Sequence, residues 1–218
     1  MSSILTNTSA MNALSALRAV NMNLDTTQNR ISTGLKVESA VDNAAYFSIS
    51  ETMKSDNAMY SAIDEGLTLT RNSVSTARLG AETVVDFARQ IVDRVAFAQG
   101  SGVDREKVFD EIADLVKQIE TTIDQSTFNG DNLVGTTGTR EIVTGVGRAG
   151  GSGFAATTIE IDTVDLEAVQ TGLAAITFSA TSTAGEMQTQ LETAEGLLAN
   201  AVDAATSLGI SEKTIENQ

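Results

Sequence analysis

Apolar and small residues return every three or four positions along the middle of the chain. They run Tyr46, Ile49, Met53, Tyr60, Ile63, Leu67, Val74, Ala77, Ala81, Val84, Ala88, Ile91, Val95, Ala98, with Asp56 and Thr70 out of register. A repeat averaging about 3.5 keeps one stripe facing a companion helix in a left-handed supercoil. The spacing therefore predicts one long helix, roughly 80 Å at 1.5 Å per residue, that needs neighbours along its length. Gln99, Gly100, Ser101 and Gly102 end it, and Asp104 offers an N-cap to the next helix. That second arm carries Val108, Ile112, Leu115, Ile119 and Thr122 and closes near Phe128, Asn129 and Gly130. Two such arms can lie antiparallel and bury their stripes together.

From Gly130 to Gly172 the helical stride fades and glycines crowd. Short alternating stretches at Thr157 to Ile161 and Ala175 to Phe178 predict strands in a small β-rich or loop insertion. The stride resumes at Met187, Leu191, Ala194, Leu198, Ala201, Ala205, Leu208 and Ile215, with Glu212 as the polar exception, and predicts a third bundle helix. No C-cap glycine follows Ser211 to Gln218, so the register is expected to stop inside a helix. At the other end, Ala10, Ala13, Leu14, Leu17, Val20, Leu24, Ile31 and Leu35 form a weaker stripe backed by Ser, Thr, Asn and Gln. Such a segment has too little apolar surface to stand alone, and is expected to order only when something covers it.

The expected organisation is a mainly α fold, a long antiparallel, coiled-coil-like helical rod with a small β-rich insertion. Residues 1–45 form an N-terminal assembly segment, 46–129 the long helix and its hairpin arm, 130–183 the insertion and 184–218 the last helix. The candidate rod core is Ile49, Met53, Ile63, Leu67, Val84, Ile91, Val95, Ile112, Leu115, Ile119, Leu191, Leu198 and Leu208. Leu14, Leu17, Leu24 and Ile31 are the candidate seam between subunits.

Composition narrows the chemistry. Cysteine, histidine, proline and tryptophan are all absent from the 218 residues. Without Cys or His, thiolate nucleophiles, Ser-His arrangements and the commonest metal ligands are missing together, so no catalytic residue, metal or cofactor is expected. The absence of proline suits long helices, and an aromatic fraction of 4% is low for a small-molecule pocket. A formal net charge of −15 opposes binding to nucleic acid or to anionic membranes. The acidic residues of Asp104 to Glu120 alternate with Arg105, Lys107 and Lys117, the pattern of a solvated helix face. Gly145-Val146-Gly147-Arg148-Ala149-Gly150 spells a dinucleotide-binding fingerprint after the strand-like Ile142-Val143, but Gly151-Ser152-Gly153 stands where a helix should begin, so a loop is expected.

Ordered motifs then suggest a family. Arg30-Ile31-Ser32-Thr33-Gly34-Leu35-Lys36-Val37, Ala40-Val41-Asp42-Asn43-Ala44-Ala45, the opening Ile4-Leu5-Thr6-Asn7-Thr8-Ser9-Ala10-Met11 and Thr127-Phe128-Asn129-Gly130 resemble the corresponding runs of bacterial flagellins. The resemblance covers about the first 135 residues and, more loosely, Thr193 to Gln218. It implies a secreted, self-assembling filament subunit for motility whose terminal segments line the filament core and whose glycine-rich middle lies outside. It further implies unfolded passage through the flagellar type III exporter, and copies of itself or other flagellins, hook-junction proteins and a cap as partners.

Against the family pattern, the C-terminal core helix is lacking, which bears on polymerisation and on the export chaperone that grips that segment. Tyr46-Phe47 replaces a small or aliphatic pair. Asp86 and Phe87 replace a Gln-Arg pair that in enterobacterial flagellins contacts a vertebrate innate receptor, while Ile91 and Glu111 fit the same patch; weak activation of that receptor is expected. Two rival readings are a hook-filament junction protein, which shares the terminal patterns, and a soluble helical signalling bundle. An enzyme is the third and weakest.

Overall fold

The computed structural model describes residues 7–149 and 153–218. Ile4, Leu5 and Thr6 of the opening motif, and Gly150, Gly151 and Ser152 of the glycine run, lie outside the described residues. The element order is α1 Thr8–Thr33, α2 Ala44–Ala98, α3 Arg105–Gln125, β1 Thr127–Phe128, β2 Asp131–Asn132, β3 Gly138–Ala149, β4 Gly153–Thr163, α4 Leu166–Ala174 and α5 Ala184–Glu216. The protein is mainly α. It divides into two units, Met1–Met59 and Tyr60–Gln218, with the division falling inside α2.

The second unit holds the core. In α2 two interleaved series spaced by seven are buried, Val74, Ala81, Ala88, Val95 and Ala77, Val84, Ile91, Ala98. In α5 the buried series is Met187, Ala194, Ala201, Leu208 and Ile215, again spaced by seven. A seven-residue repeat puts each of these on one seam. The alanines in it let helix axes approach closely. Ion pairs and caps give the directions. Arg105, at the start of α3, donates to Ala98 O at the end of α2 and to Ser182 O just before α5, at 3.1 and 2.7 Å. Toward the other end of α2, Arg78 Nε donates to Glu212 in α5 at 2.5 Å, and Gly80 lies against Ser126, the C-cap of α3. Helix α2 is thus antiparallel to both α3 and α5. Glu212, the polar exception in the α5 stripe, is there as the acceptor for Arg78, whose side chain also pairs with Glu82; these two partners raise the Arg78 pKa.

Capping follows from local chemistry. Asp104 caps α3, accepting from the Lys107 N–H. Thr183 and Glu186 form a reciprocal capping box at the start of α5, and the Thr183 backbone N–H beside Glu186 holds that carboxyl below its usual value.

Four expectations are corrected. In α3 the buried seam is Val108, Ile112, Val116, Ile119 and Ile123; Leu115 and Thr122 are only half-buried. The arc is turned because α3 packs on α4 as well as on α2. Within 130–183 the chain forms a further helix, α4, with Asp165 accepting from Ala168 N at 2.8 Å as its N-cap and Leu166, Val169 and Leu173 buried. Ala175 to Phe178 is not a strand. Ile176 and Phe178 are buried, and the Phe178 ring stands edge-on to Phe109 at 5.9 Å, so the alternation marks a coil lying on the core with no neighbouring strand to pair with. Gly145 to Ala149 is not a loop; it belongs to β3, which pairs antiparallel with β4 across a register shift at Val143/Gly145. Thr157 to Ile161 lies in β4. The Tyr60 hydroxyl donates to Val146 O at 3.1 Å, tying this hairpin to α2.

In the first unit, Asn7 caps α1 by accepting from Ala10 N at 3.1 Å, and Gly34 ends it with φ 68°. The left-handed cap is a conformation glycine takes without steric cost. Asp42 then accepts from the Glu38 and Ser39 N–H groups at 3.1 and 3.2 Å, and Asn43 caps α2 by accepting from Ala45 N and Tyr46 N.

Candidate assembly surface

None of the described residues of the first unit is buried. The segment expected to order only on assembly is helical here over Thr8–Thr33, and its apolar side chains face outward. Leu14, Leu17, Leu24 and Ile31 are exposed by 49%, 57%, 62% and 78%. At about 100° per residue, Leu17, Val20, Leu24 and Ile31 share one arc and Leu14 flanks it. Met11 and Met22, also exposed, fall on a different face. The stride-of-three-and-four criterion missed that second face; the spacing of eleven between the two methionines is the signal that carries it.

The rest of α1 offers little to water. Its charged residues are Arg18, Asp25 and Arg30. Thr26, Thr27 and Thr33 turn their hydroxyls back to the carbonyls of Met22, Asn23 and Asn29 at 2.7 to 2.8 Å, so part of the polar face is satisfied by the helix itself. A helix with outward leucines and self-satisfied hydroxyls is suited to enclosure by other helices rather than to solvation.

The start of α2 continues the pattern. Tyr46, Ile49 and Met53 are exposed along a shallow groove shared with Ser50, Lys54 and Asn57. Ile49 and Met53 were expected in the rod core; within this unit nothing buries them. Of the other candidate core residues, Val84, Ile91, Val95, Ile112, Ile119 and Leu208 are buried, and Ile63, Leu67, Leu115, Leu191 and Leu198 are half-buried.

The candidate receptor patch is not a single surface. Asp86 is exposed and pairs with Arg89 at 3.0 Å, and Glu111 pairs with Arg94 at 3.2 Å. Phe87 packs partly against the core, and Ile91 is fully buried within it. Ile91 faces inward because it belongs to the seven-residue series of α2.

Among the described residues no group of three or more carboxylates is placed to hold a metal ion, and no helix is long and apolar enough to cross a membrane.

Comparison with known proteins places these features. The family model described as bacterial flagellin N-terminal helical region matches residues 4–139. Flagellin C of Rhizobium meliloti (strain 1021) is 40% identical over 168 residues, covering 75% of this chain and 52% of that protein. Flagellin A of Rhizobium meliloti is 45% identical over 132 residues, 61% of this chain and 33% of the relative. A flagellin of Brucella melitensis biotype 1 is 34% identical over 228 residues, spanning 100% of this chain and 79% of the relative. The chain thus spans about a half and a third of the lengths of the two Rhizobium proteins. With outward apolar faces on a nearly uncharged first helix, a heptad-seamed second unit and these matches together, the chain belongs to the bacterial flagellin family.

Proposed function

We propose that this chain is a structural subunit of the bacterial flagellar filament, assembling outside the cell with copies of itself to serve swimming motility. The observation that carries the reading is the uncovered apolar surface of α1 and early α2: Leu14, Leu17, Leu24, Ile31, Ile49 and Met53 are large, apolar and exposed together. At about 25 cal/mol per Å² of apolar surface removed from water, repeated burial of these residues between neighbouring subunits stabilises a polymer. Exposure on two faces of α1 suits a helix flanked by neighbours on more than one side.

In this reading residues 1–45 pack around the filament axis, 46–129 and 184–218 form the outer helical unit, and 130–183 lie on the outer surface. Unfolded export through the flagellar type III apparatus precedes assembly, with hook-junction and cap proteins as further partners. The chain acts by packing and carries out no catalysis. The hook-filament junction protein is the nearest rival, and the relatives named above, all flagellins, favour the filament.

The test replaces Leu17 or Leu24 by Asp. Negative-stain microscopy is expected to find no filaments, while circular dichroism retains the helical signal of the second unit. Filaments of ordinary length from both variants would reject the assignment of this seam.

A further inference from the structure

Asn129-Gly130 is the single Asn-Gly step in the sequence, and the fold sets it in the two-residue turn between β1 and β2. Asn129 is the one described non-glycine residue with positive φ, 51°, and Gly130 follows at 81°, the backbone a primed hairpin turn demands. Both are exposed. A Cβ built on Gly130 would meet nothing within 4 Å, so no neighbouring group crowds the turn on that side. Among the described residues the Asn129 carboxamide has no hydrogen-bond partner. Asn132, three positions on, is the contrast. Its Nδ2 donates to Ile123 O and its Oδ1 accepts from Val134 N, both at 2.9 Å.

We propose that Asn129 is a site of spontaneous deamidation. The Gly130 nitrogen, losing its proton to water or hydroxide, attacks Asn129 Cγ. A C–N bond forms and closes a five-membered succinimide, the Cγ–Nδ2 bond breaks, and that nitrogen leaves as ammonia with a proton returned from solvent. Water then adds to one of the two imide carbonyls. Opening one C–N bond gives aspartate, and opening the other gives isoaspartate. No oxidant and no co-reactant other than water takes part. Glycine favours the step because no side chain hinders the attacking nitrogen. Ring closure requires Asn129 to rotate out of the left-handed region, and strands of two residues each hold the turn only weakly against such local opening.

The product changes its surroundings. A carboxylate at position 129 is placed in the same shallow cavity as Asp131 and Arg140, where it competes for the guanidinium that Asp131 now holds. Isoaspartate also adds a methylene to the backbone of a turn whose Phe128↔Asp131 pairing admits two residues only. Deamidation therefore marks aged molecules at this hairpin.

The experiment incubates the full chain in mildly alkaline buffer, follows its peptides by mass spectrometry and labels isoaspartate with an isoaspartyl methyltransferase. The expected result is that the peptide holding Asn129 exchanges ammonia for water before any other asparagine peptide and takes up the label, with Asn72 and Asn132 lagging. Asn129→Gln, which would need a larger ring, is expected to abolish that label. An unchanged Asn129 in the folded chain, an earlier conversion elsewhere, or a label that survives Asn129→Gln would each overturn the proposal.

Discussion

Gly80 and Ser126 meet with no room for a side chain between them: a Cβ at Gly80 would lie 1.9 Å from Ser126 Oγ. Ser126 is buried, and its hydroxyl donates to Thr122 O at 2.6 Å, so the oxygen is held in place against α2. Glycine inside a helix costs about 1 kcal/mol relative to alanine, yet here it lets the end of α3 close onto α2. Gly80→Ala is therefore expected to destabilise the second unit by about 1–3 kcal/mol despite the gain in helix propensity. Ser126→Gly in the same chain should restore much of the loss. Urea unfolding of the two single variants and the double variant measures this coupling; additive effects would show that the close approach is not what Gly80 is for.

Leu208 and Ile49 stand on helical stripes of similar spacing but in different surroundings. Leu208 is fully buried, and Ile49 is 57% exposed. Leu208→Ala should cost about 2–5 kcal/mol in monomer stability, as for other buried leucines. Ile49→Ala should stay within about 0.5 kcal/mol, as exposed sites do, while reducing filament formation under the proposed function. Denaturant midpoints for the monomer, paired with sedimentation of polymer, separate the two. A large monomer effect from Ile49→Ala would contradict the exposed placement.

Asp42 carries a pH dependence of definite sign. The Glu38 backbone N–H, then that of Ser39, bonds its carboxylate and holds the carboxyl below the usual range. A folded-state pKa lowered in this way contributes order that is present above the ordinary carboxylate value and is lost as pH falls through the lowered one. The turn ahead of α2 is thus expected to keep its structure through mild acid and loosen only below the usual Asp range. Nuclear magnetic resonance titration of the Glu38 and Ser39 amides reads this directly. A midpoint at or above the ordinary Asp value would refute it.

Much of the helical framework was legible because periodicity is a local property. The stripe from Tyr46 to Ala98 corresponds to α2, the return of the stride at Met187 to α5, and Asp104 to the cap of α3. What was not legible is short or shared. Helix α4 has only Leu166, Val169 and Leu173 to announce it, together with Asp165 as its cap, in a stretch rich in glycine. Ala175 to Phe178 alternates as a strand would, and only the lack of a partner makes it coil. Leu115 and Val116 are adjacent and both apolar, and it is the neighbouring α4 that turns Val116 to the centre of the seam.

For the assembly surface, the residue types on α1 were readable, and so was the need for a covering partner, because few charges and a thin apolar stripe cannot support an isolated helix. Burial was not readable, since one stride of three and four runs through Ile49 and Ile91 alike. The amino-acid order by itself determined where the long helices α1, α2, α3 and α5 form and that each carries an apolar stripe, because those depend on neighbours three to seven residues away. Only the tertiary structure decided that Ile91 turns inward while Ile49 and Met53 stay uncovered, that Glu212 meets Arg78 and that Gly80 admits Ser126. Those outcomes depend on which distant segments arrive at the same place, and hydrophobic burial acts on that arrival without regard to separation along the chain.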